Sequence, residues 1–179
     1  MPLPAFLLAL LALLALTACA PAAAPGPAPL SYDCQTPTGR LSELDQVQPG
    51  PSYRISGTIR ADELRADSRW ESAGNIFVES ADEQDRVMLQ LVSPDRGERL
   101  RIVLRTHHGE KQEARPLGAI AVGEEVPFVL AVDGGRAKAE IGALEAEAAV
   151  DPGTSARVGV GCAGGSFRFG ELRFGMASK

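Results

Sequence analysis

From position 53 onward, apolar and polar residues alternate with a period of two in short segments. Such alternation is typical of β-strands that have one face in a core and the other in solvent. The clearest segments are residues 53–60, 87–91 and 99–105. Further candidate strands are residues 75–79, 126–132, 136–141, 156–162 and 166–174, with Gly, Pro and Asp turn signals between them. Short strands at this spacing predict an all-β fold, an antiparallel β-sandwich.

The last candidate strand changes the phase of its pattern. Phe167 and Phe169 share one parity, whereas Leu172 and Phe174 have the other. One extra residue in the strand would keep all four side chains on the buried face. We therefore predict a β-bulge near Gly170.

The segment from Ile141 to Val150 fits two secondary structures. It can continue the strand pattern, but Ala and Glu are strong helix formers. Ile141, Leu144 and Ala148 also share one face of a helix. Both interpretations stay open at the level of the sequence.

The first 30 residues have a different character, because they are mostly apolar and carry no charged side chain. The run from Leu3 to Leu16 is typical of a secretory signal and is shorter than the roughly 20 residues that a spanning helix needs. Leu16-Thr17-Ala18-Cys19 follows, and it resembles the lipobox of bacterial lipoproteins. The resemblance implies that residues 1–18 are a signal peptide and that Cys19 is acylated, which attaches the protein to a membrane.

Two further features complete this predicted N-terminal organisation. The residue after Cys19 is Ala20 rather than the Asp that retains such lipoproteins in the inner membrane, so the resemblance implies export to the outer membrane. Residues 19–30 are rich in Pro and Ala and predict an extended tether. Residues 31–179 then form the predicted sandwich domain.

Cys34 and Cys162 are the two other cysteines of the chain. In an exported protein, two such cysteines most simply form a disulfide. A metal site is the competing interpretation, but neither residue has a Cys or His neighbour at ligand spacing. We therefore predict a Cys34–Cys162 disulfide that closes a loop across most of the domain.

Size and charge limit the classes of function. The chain has 179 residues, which after loss of a leader is enough for one ordinary domain. With 18 basic and 23 acidic residues, its formal net charge is −5. An acidic chain of this kind is a poor partner for nucleic acid, so we predict no nucleic-acid binding.

The second half of the chain resembles the concanavalin A-like or laminin-G-like jelly-roll sandwiches. The likeness rests on the amphipathic strand 100–105, on residues 123–135 with their Asp-Gly-Gly turn, and on the aromatic closing strand 165–174. It covers residues 52–174. The family often binds glycans, proteins or Ca²⁺, and its members share architecture without sharing function.

Candidate catalytic groups are sparse. Glucanases of this fold carry two carboxylates on one face of a strand, because a retaining mechanism needs a nucleophile and an acid about 5.5 Å apart. Glu145 and Glu147 have that alternation, but they stand among alanines with no aromatic residue beside them. The chain contains no Gly-x-Ser-x-Gly elbow, phosphate loop or dinucleotide fingerprint.

Metal-binding candidates are equally weak. Asp82, Glu83 and Asp85 form an acidic loop that could supply oxygens to Ca²⁺, although it lacks the spaced ligands of a dedicated loop. His107 and His108 are adjacent, so on a strand they point to opposite faces and do not share one ion. We interpret the acidic segment as a solvated turn and the histidine pair as a plain loop, and we predict no resident cofactor.

One predicted surface has the composition of a binding platform. Arg99, Arg101 and Arg105 project from one face of a strand, and Met88 and Gln90 come from its neighbour. Arg forms paired hydrogen bonds with carboxylates, and Trp70, the single tryptophan, could stack on a sugar ring. The alternative, a solvated arginine row with Trp70 at the edge of the core, stays open.

Taken together, these features predict a lipid-anchored envelope protein whose sandwich is a non-catalytic binding module. Its predicted ligand is a glycan or polysaccharide, or else an envelope protein. The alternative is a glycoside-active enzyme of the same fold, a hydrolase or lyase, that uses Glu145 and Glu147.

Overall fold

The computed structural model describes residues 28–93 and 97–177, and all the regular structure in these ranges is β-strand. The strands are β1 (Leu30–Pro49), β2 (Tyr53–Leu64), β3 (Ser72–Ser80), β4 (Asp85–Ser93), β5 (Arg99–His108), β6 (Lys111–Ala121), β7 (Glu125–Asp133), β8 (Arg136–Ile141), β9 (Leu144–Ala149) and β10 (Ser155–Gly175). Every segment predicted from alternation lies within one of these strands, so the all-β prediction is confirmed. In the described part of the chain, no helix has the length and apolarity to cross a membrane. The predicted signal peptide, Cys19 and most of the predicted tether lie outside the described residues.

Two antiparallel layers form the sandwich, and β1 and β10 belong to both of them. The layer that we call the front sheet has the order β6-β5-β4-β3, followed by the first half of β10 and the second half of β1. The back sheet has the order β9-β8-β7-β2, followed by the second half of β10 and the first half of β1. The two long strands therefore join the layers along one side.

The bend in β10 depends on a glycine that takes a left-handed conformation. Gly164 has a φ of +55°, and a Cβ at this position would lie 3.1 Å from the carbonyl oxygen of Glu71. An L side chain rarely adopts such a φ, whereas glycine does so readily. The partner strand shifts its register at the same level, between Thr36 and Leu41. Both long strands thus leave one layer and enter the other at this bend.

A disulfide crosses between the layers next to the bend. Cys34 lies on the first half of β1 and Cys162 on the first half of β10, and both are buried. Their sulfur atoms are bonded, and their Cα atoms are 6.0 Å apart. The predicted disulfide is confirmed, and it ties the front sheet to the back sheet.

The core consists of the inward-facing positions of both sheets. Along β7, buried and more exposed residues alternate, with Phe128 and Leu130 among the buried ones. β4 and β5 contribute fully covered side chains such as Leu89, Leu91 and Leu100. Burying one large aliphatic or aromatic side chain contributes about 1.5–3 kcal/mol, so this interior is the main source of stability.

The predicted bulge is present in the closing strand. The register of β10 against β2 shifts between Gly170 and Arg173, and Glu171 has a φ of +50°. Phe167, Phe169 and Leu172 are buried on the two sides of the shift, and Phe174 is partly buried against the same core. The extra residue therefore keeps the apolar side chains inside, as their parity predicted.

The ambiguous segment forms an antiparallel hairpin. β8 pairs with β9 through partners such as Ala139 and Ala146, and both of these alanines are buried. Pairing with β8 satisfies the backbone groups of β9 and covers its small apolar side chains. This tertiary contact outweighs the helix preference of Ala and Glu, which amounts to only tenths of a kcal/mol per residue.

Candidate functional site

One solvent-facing surface carries two groups of polar side chains that interact across neighbouring strands. We call it the outer front face, and the cross-strand register of the front sheet defines it. Its residues are Glu43 and Asp45 of β1, Arg157 of β10, Asn75, Phe77 and Glu79 of β3, Arg86, Met88 and Gln90 of β4, and Arg101, Val103, Arg105 and His107 of β5.

A chain of side-chain hydrogen bonds crosses three strands in the middle of this face. The Nε of Arg105 donates to the Oε1 of Gln90 at 2.7 Å. The Nε2 of Gln90 donates in turn to the Oδ1 of Asn75 at 2.8 Å. The partner of the Arg105 guanidinium is therefore a neutral amide. Among residues 28–93 and 97–177, no carboxylate forms an ion pair with Arg105.

A cavity of about 560 Å³ opens beside this chain of hydrogen bonds. Arg105, Met88 and His107 contribute to its wall. His107 lies two residues beyond Arg105 on the same strand, so the two side chains project from the same face, about 6.6 Å apart along the strand. Glu79, Glu83, Arg86, Thr106, Gln112, Glu113 and Ala114 complete the lining.

A second group of charges lies on the side of the face nearer β1. Arg157 binds three carboxylates, Glu79 at 2.8 Å, Asp45 at 3.0 Å and Glu43 at 3.2 Å. The hydrogen bond that Arg157 donates to Asp45 raises the pKa of Arg157 above its usual range, and the nearby carboxylates add to this effect. Arg86 shares two of these acids, at 3.4 Å from Glu43 and 3.5 Å from Glu79.

Phe77 forms the floor beneath these two arginines. The guanidinium carbons of Arg86 and Arg157 lie 4.5 and 5.8 Å from the centre of its ring. Phe77 points outward from the front sheet but has 0% exposed area, because the two cations cover it. Gly159 permits this packing, since a Cβ there would lie 2.8 Å from Phe77 and 2.6 Å from Asp45.

The structure brings together part of the predicted platform. Met88, Gln90, Arg101 and Arg105 share the outer front face, as their parity predicted. Arg99 lies at the end of β5, where it donates to the carbonyl oxygen of Ala119. Arg101 is exposed and lies 3.7 Å from Glu71.

Trp70 does not lie beside the other predicted platform residues. It belongs to the connection between β2 and β3, and its ring packs against the backbone at Gly39 in the bend of β1. It is 55% exposed, so it is not a core residue either. The cavity beside Arg105 has no tryptophan in its wall.

The histidine pair is not the plain loop that we expected. Both residues end β5, and they point to opposite faces, as alternation requires. His107 lines the cavity, whereas the Nδ1 of His108 lies 2.5 Å from the Oδ1 of Asp85. Strand pairing with β4 and β6 extends β5 through both residues and so places His107 at the site.

Sequence reasoning missed several residues of the face, in particular Asn75, Glu79, Arg86 and Arg157. Asn75 and Glu79 occur in a strand that is buried along its whole length. A polar residue inside a buried strand requires a partner, because an unpaired polar group in the interior costs about 1–3 kcal/mol. That requirement was the available signal, but one of the partners, Arg157 of β10, lies 78 residues from Glu79.

Glu145 and Glu147 lie away from this face. They belong to β9, an edge strand of the back sheet. Trp70 lies at the bend of β1, at the opposite edge of the sandwich. Glu145 is 3.4 Å from Lys138, and Glu147 is 3.0 Å from Arg136. These acids therefore form exposed ion pairs, and the structure does not place them beside an aromatic sugar platform.

The acidic side chains of the turn between β3 and β4 bond groups in and next to that turn. Asp82 accepts hydrogen bonds from the Ser80 hydroxyl and the Gln84 amide, and the bond from Ser80 lowers the pKa of Asp82. Asp85 binds His108. Among the residues that the structure describes, no group of three His, Cys, Asp or Glu side chains is arranged to hold a metal ion.

Comparison with known proteins shows the fold. No protein-family model and no curated protein matches the chain. Among solved structures, the PL7 alginate lyase AlyA1 from Zobellia galactanivorans is similar over 82% of this chain and 77% of its own, with 12% identity and a TM-score of 0.55. An alginate lyase from Alteromonas sp. 272 is similar over 86% and 92%, with 9% identity and a TM-score of 0.54. The galectin LEC-6 of Caenorhabditis elegans is similar over 80% and 95%, with 14% identity and a TM-score of 0.51.

The chain is a jelly-roll β-sandwich. At these identities the likeness concerns the fold alone. It nevertheless corrects one prediction. The expectation of a module without catalytic activity is wrong, because two of these similar structures are alginate lyases, so the fold gives no ground for excluding an enzyme.

Proposed function

We propose that the outer front face binds a uronate-containing polysaccharide of the alginate type and cleaves it by β-elimination. The observation that carries this proposal is the set of contacts that Arg105 makes. Its guanidinium lies at the wall of the cavity, bonded to a neutral amide, with no carboxylate partner among the described residues. The alginate lyases among the similar structures support the choice of substrate.

The chemistry of β-elimination explains why these residue types suit it. A base removes the proton from the carbon next to the sugar carboxylate, and a C=C double bond forms to the neighbouring carbon. The glycosidic oxygen leaves from that carbon and takes up a proton. The proton becomes acidic enough only when the negative charge that develops on the carboxylate is stabilised. Arg105, held by Gln90 and Asn75, is placed to bind that carboxylate, because Arg forms strong charge-assisted hydrogen bonds with such groups.

His107 is the residue that we assign to proton transfer. It lines the same cavity as Arg105 and projects from the same face of β5. Histidine is the side chain that most often serves as a general base, because its neutral ring can accept a proton. A uronate carboxylate bound by Arg105 would bring the ring carbon that loses its proton towards His107.

The test is incubation of the purified protein with sodium alginate, followed by the ultraviolet absorbance of the unsaturated uronate product. We expect product from the wild type and about a hundredfold lower rate from His107→Gln, which is the usual size of a lost proton-transfer group. His108→Gln is the matched control, because His108 points to the other face and binds Asp85. It should retain the wild-type rate.

Two outcomes separate the parts of the proposal. If immobilised alginate retains the protein but neither alginate nor polygalacturonate yields unsaturated product, the catalytic assignment is refuted. If neither immobilised alginate nor immobilised polygalacturonate retains the protein, the substrate class is refuted.

We further propose that the protein is anchored to the outer membrane through acyl chains on Cys19. The support is the lipobox-like Leu16-Thr17-Ala18-Cys19 behind an apolar run. Stable anchoring needs more than one acyl chain, and a fully modified lipoprotein meets that requirement. Cells that produce the protein and are fed radioactive palmitate should label the wild type but not Cys19→Ser, and equal label in the two proteins would refute the anchor.

A further inference from the structure

Arg86 is bound less tightly than Arg157, the other arginine above Phe77. Its two ion-pair distances are 3.4 Å to Glu43 and 3.5 Å to Glu79. Its Nε is buried, and no acceptor for it exists among the described residues. A buried donor without a partner costs about 1–3 kcal/mol, so an acceptor that reached this N–H would stabilise the side chain.

Glu43 and Glu79, the two acids that bind Arg86, each have a second cationic partner. Arg157 binds both Glu43 and Glu79, and at 3.2 and 2.8 Å these contacts are shorter than those of Arg86. If the Arg86 guanidinium moved away, both carboxylates would keep a cationic partner. Neither acid would then be left without an ion-pair partner, which is the most costly case for a covered charge.

Arg86 also lies within reach of the proposed substrate. It lines the same cavity as Arg105. In the cross-strand register, Arg105 of β5 is opposite Met88, so Arg86 is its diagonal neighbour on β4. Diagonal neighbours have Cα atoms about 7–8 Å apart, a span that suits two separate anionic groups better than one.

We infer that Arg86 is a second, movable anion-binding residue. Its guanidinium moves away from Glu43 and Glu79 and binds a second carboxylate of the polysaccharide. This inference rests on the proposed function. In the free protein the guanidinium stays over Phe77, where the ring stabilises the cation. When substrate enters, the Nε gains the acceptor that it lacks, and both acids keep their contacts with Arg157.

The inference predicts a dependence on chain length. A ligand with one carboxylate engages Arg105 alone, whereas an oligomer with several carboxylates also engages Arg86. In isothermal titration with alginate oligosaccharides, every protein also carries His107→Gln so that the tetramer is not cleaved. We expect Arg86→Gln to weaken binding of the tetramer about tenfold and to leave binding of a single uronate unchanged. Arg86→Lys keeps the charge and should retain part of the tetramer affinity, which guards against a folding defect in the Gln variant.

A matched control and a second readout complete the experiment. Arg168 on the back sheet also contacts two carboxylates, Asp33 and Asp62, both at 3.3 Å. Arg168→Gln removes a comparable ion-pair group from the other side of the sandwich and should bind the tetramer like the wild type. The Nε–H signal of Arg86 in NMR spectra, assigned with Arg86→Lys, should shift when the tetramer is added but not when the single uronate is added.

The outcomes distinguish this inference from the proposed function. If Arg86→Gln binds the tetramer as tightly as the wild type while Arg105→Gln does not, the movable arginine is refuted and the substrate class stands. If Arg86→Gln weakens the single uronate and the tetramer equally, the two arginines clamp one carboxylate and the inference is also refuted. If the wild type binds no uronate of any length, the proposed function fails, and the inference fails with it.

Discussion

Replacing both Cys34 and Cys162 with alanine should lower the free energy of unfolding by about 4–5 kcal/mol. The disulfide joins residues 128 positions apart, so its loss frees a very long loop in the unfolded chain. Alanine avoids burying a new polar group at these two covered positions. Chemical denaturation followed by circular dichroism measures the loss, which is a large part of the 5–15 kcal/mol typical of a domain.

Reductant provides the control for this prediction. Dithiothreitol should lower the denaturation midpoint of the wild type to near that of the double-alanine variant, and it should not change the midpoint of the variant. A loss smaller than about 1 kcal/mol would mean that the cross-link between the sheets does not act through the entropy of the unfolded chain.

Replacing Arg105 with glutamine should reduce kcat/KM on alginate by at least about a hundredfold. In the proposed reaction, Arg105 is the cation that stabilises charge developing on the uronate carboxylate, and loss of one such group typically costs 10²–10³ in rate. Arg105→Lys should not restore the rate, because an ammonium lacks the planar fork with which a guanidinium bonds Gln90 through Nε and presents paired donors to a carboxylate. Steady-state kinetics with the unsaturated product as readout measures both variants.

Stability must be separated from activity in this experiment. Losing the bond between Arg105 and Gln90 should lower the free energy of unfolding by only about 1 kcal/mol, so the variant stays folded at the assay temperature. Arg136→Gln is the control, because Arg136 is an exposed arginine of the back sheet that pairs with Glu147. Equal rates for Arg105→Gln and Arg136→Gln would show that Arg105 is not part of the reacting site.

The strands that alternation did not predict are two edge strands. β6 pairs only with β5, and most of its side chains are exposed, so no apolar alternation marks it. β1 pairs only with β10 and contains Pro37 and Gly39 near its bend. An edge strand is held on one side only, and its place comes from the backbone of its neighbour rather than from its own side chains.

The candidate site was only partly accessible to sequence reasoning. Alternation along two neighbouring strands predicted that Met88, Gln90 and Arg105 share one face, and the register of β4 with β5 agrees. Trp70 was assigned to the same platform by residue type alone, and the connection after β2 places it at the β1 bend instead. Residue type states what a side chain can bind, whereas its position depends on the path of the chain.

The sequence by itself determined the fold class, the disulfide pairing and the bulge in β10. Each of these follows from a local or pairwise property: period-two alternation, the two cysteines left after Cys19, and a change of parity within one strand. Only the tertiary structure decided which charged residues meet. Arg157 contacts Glu43, Asp45 and Glu79 across separations of 114, 112 and 78 residues, because the bends in β1 and β10 bring distant strands side by side. Those contacts depend on strand order and register, and local pattern carries no information about either.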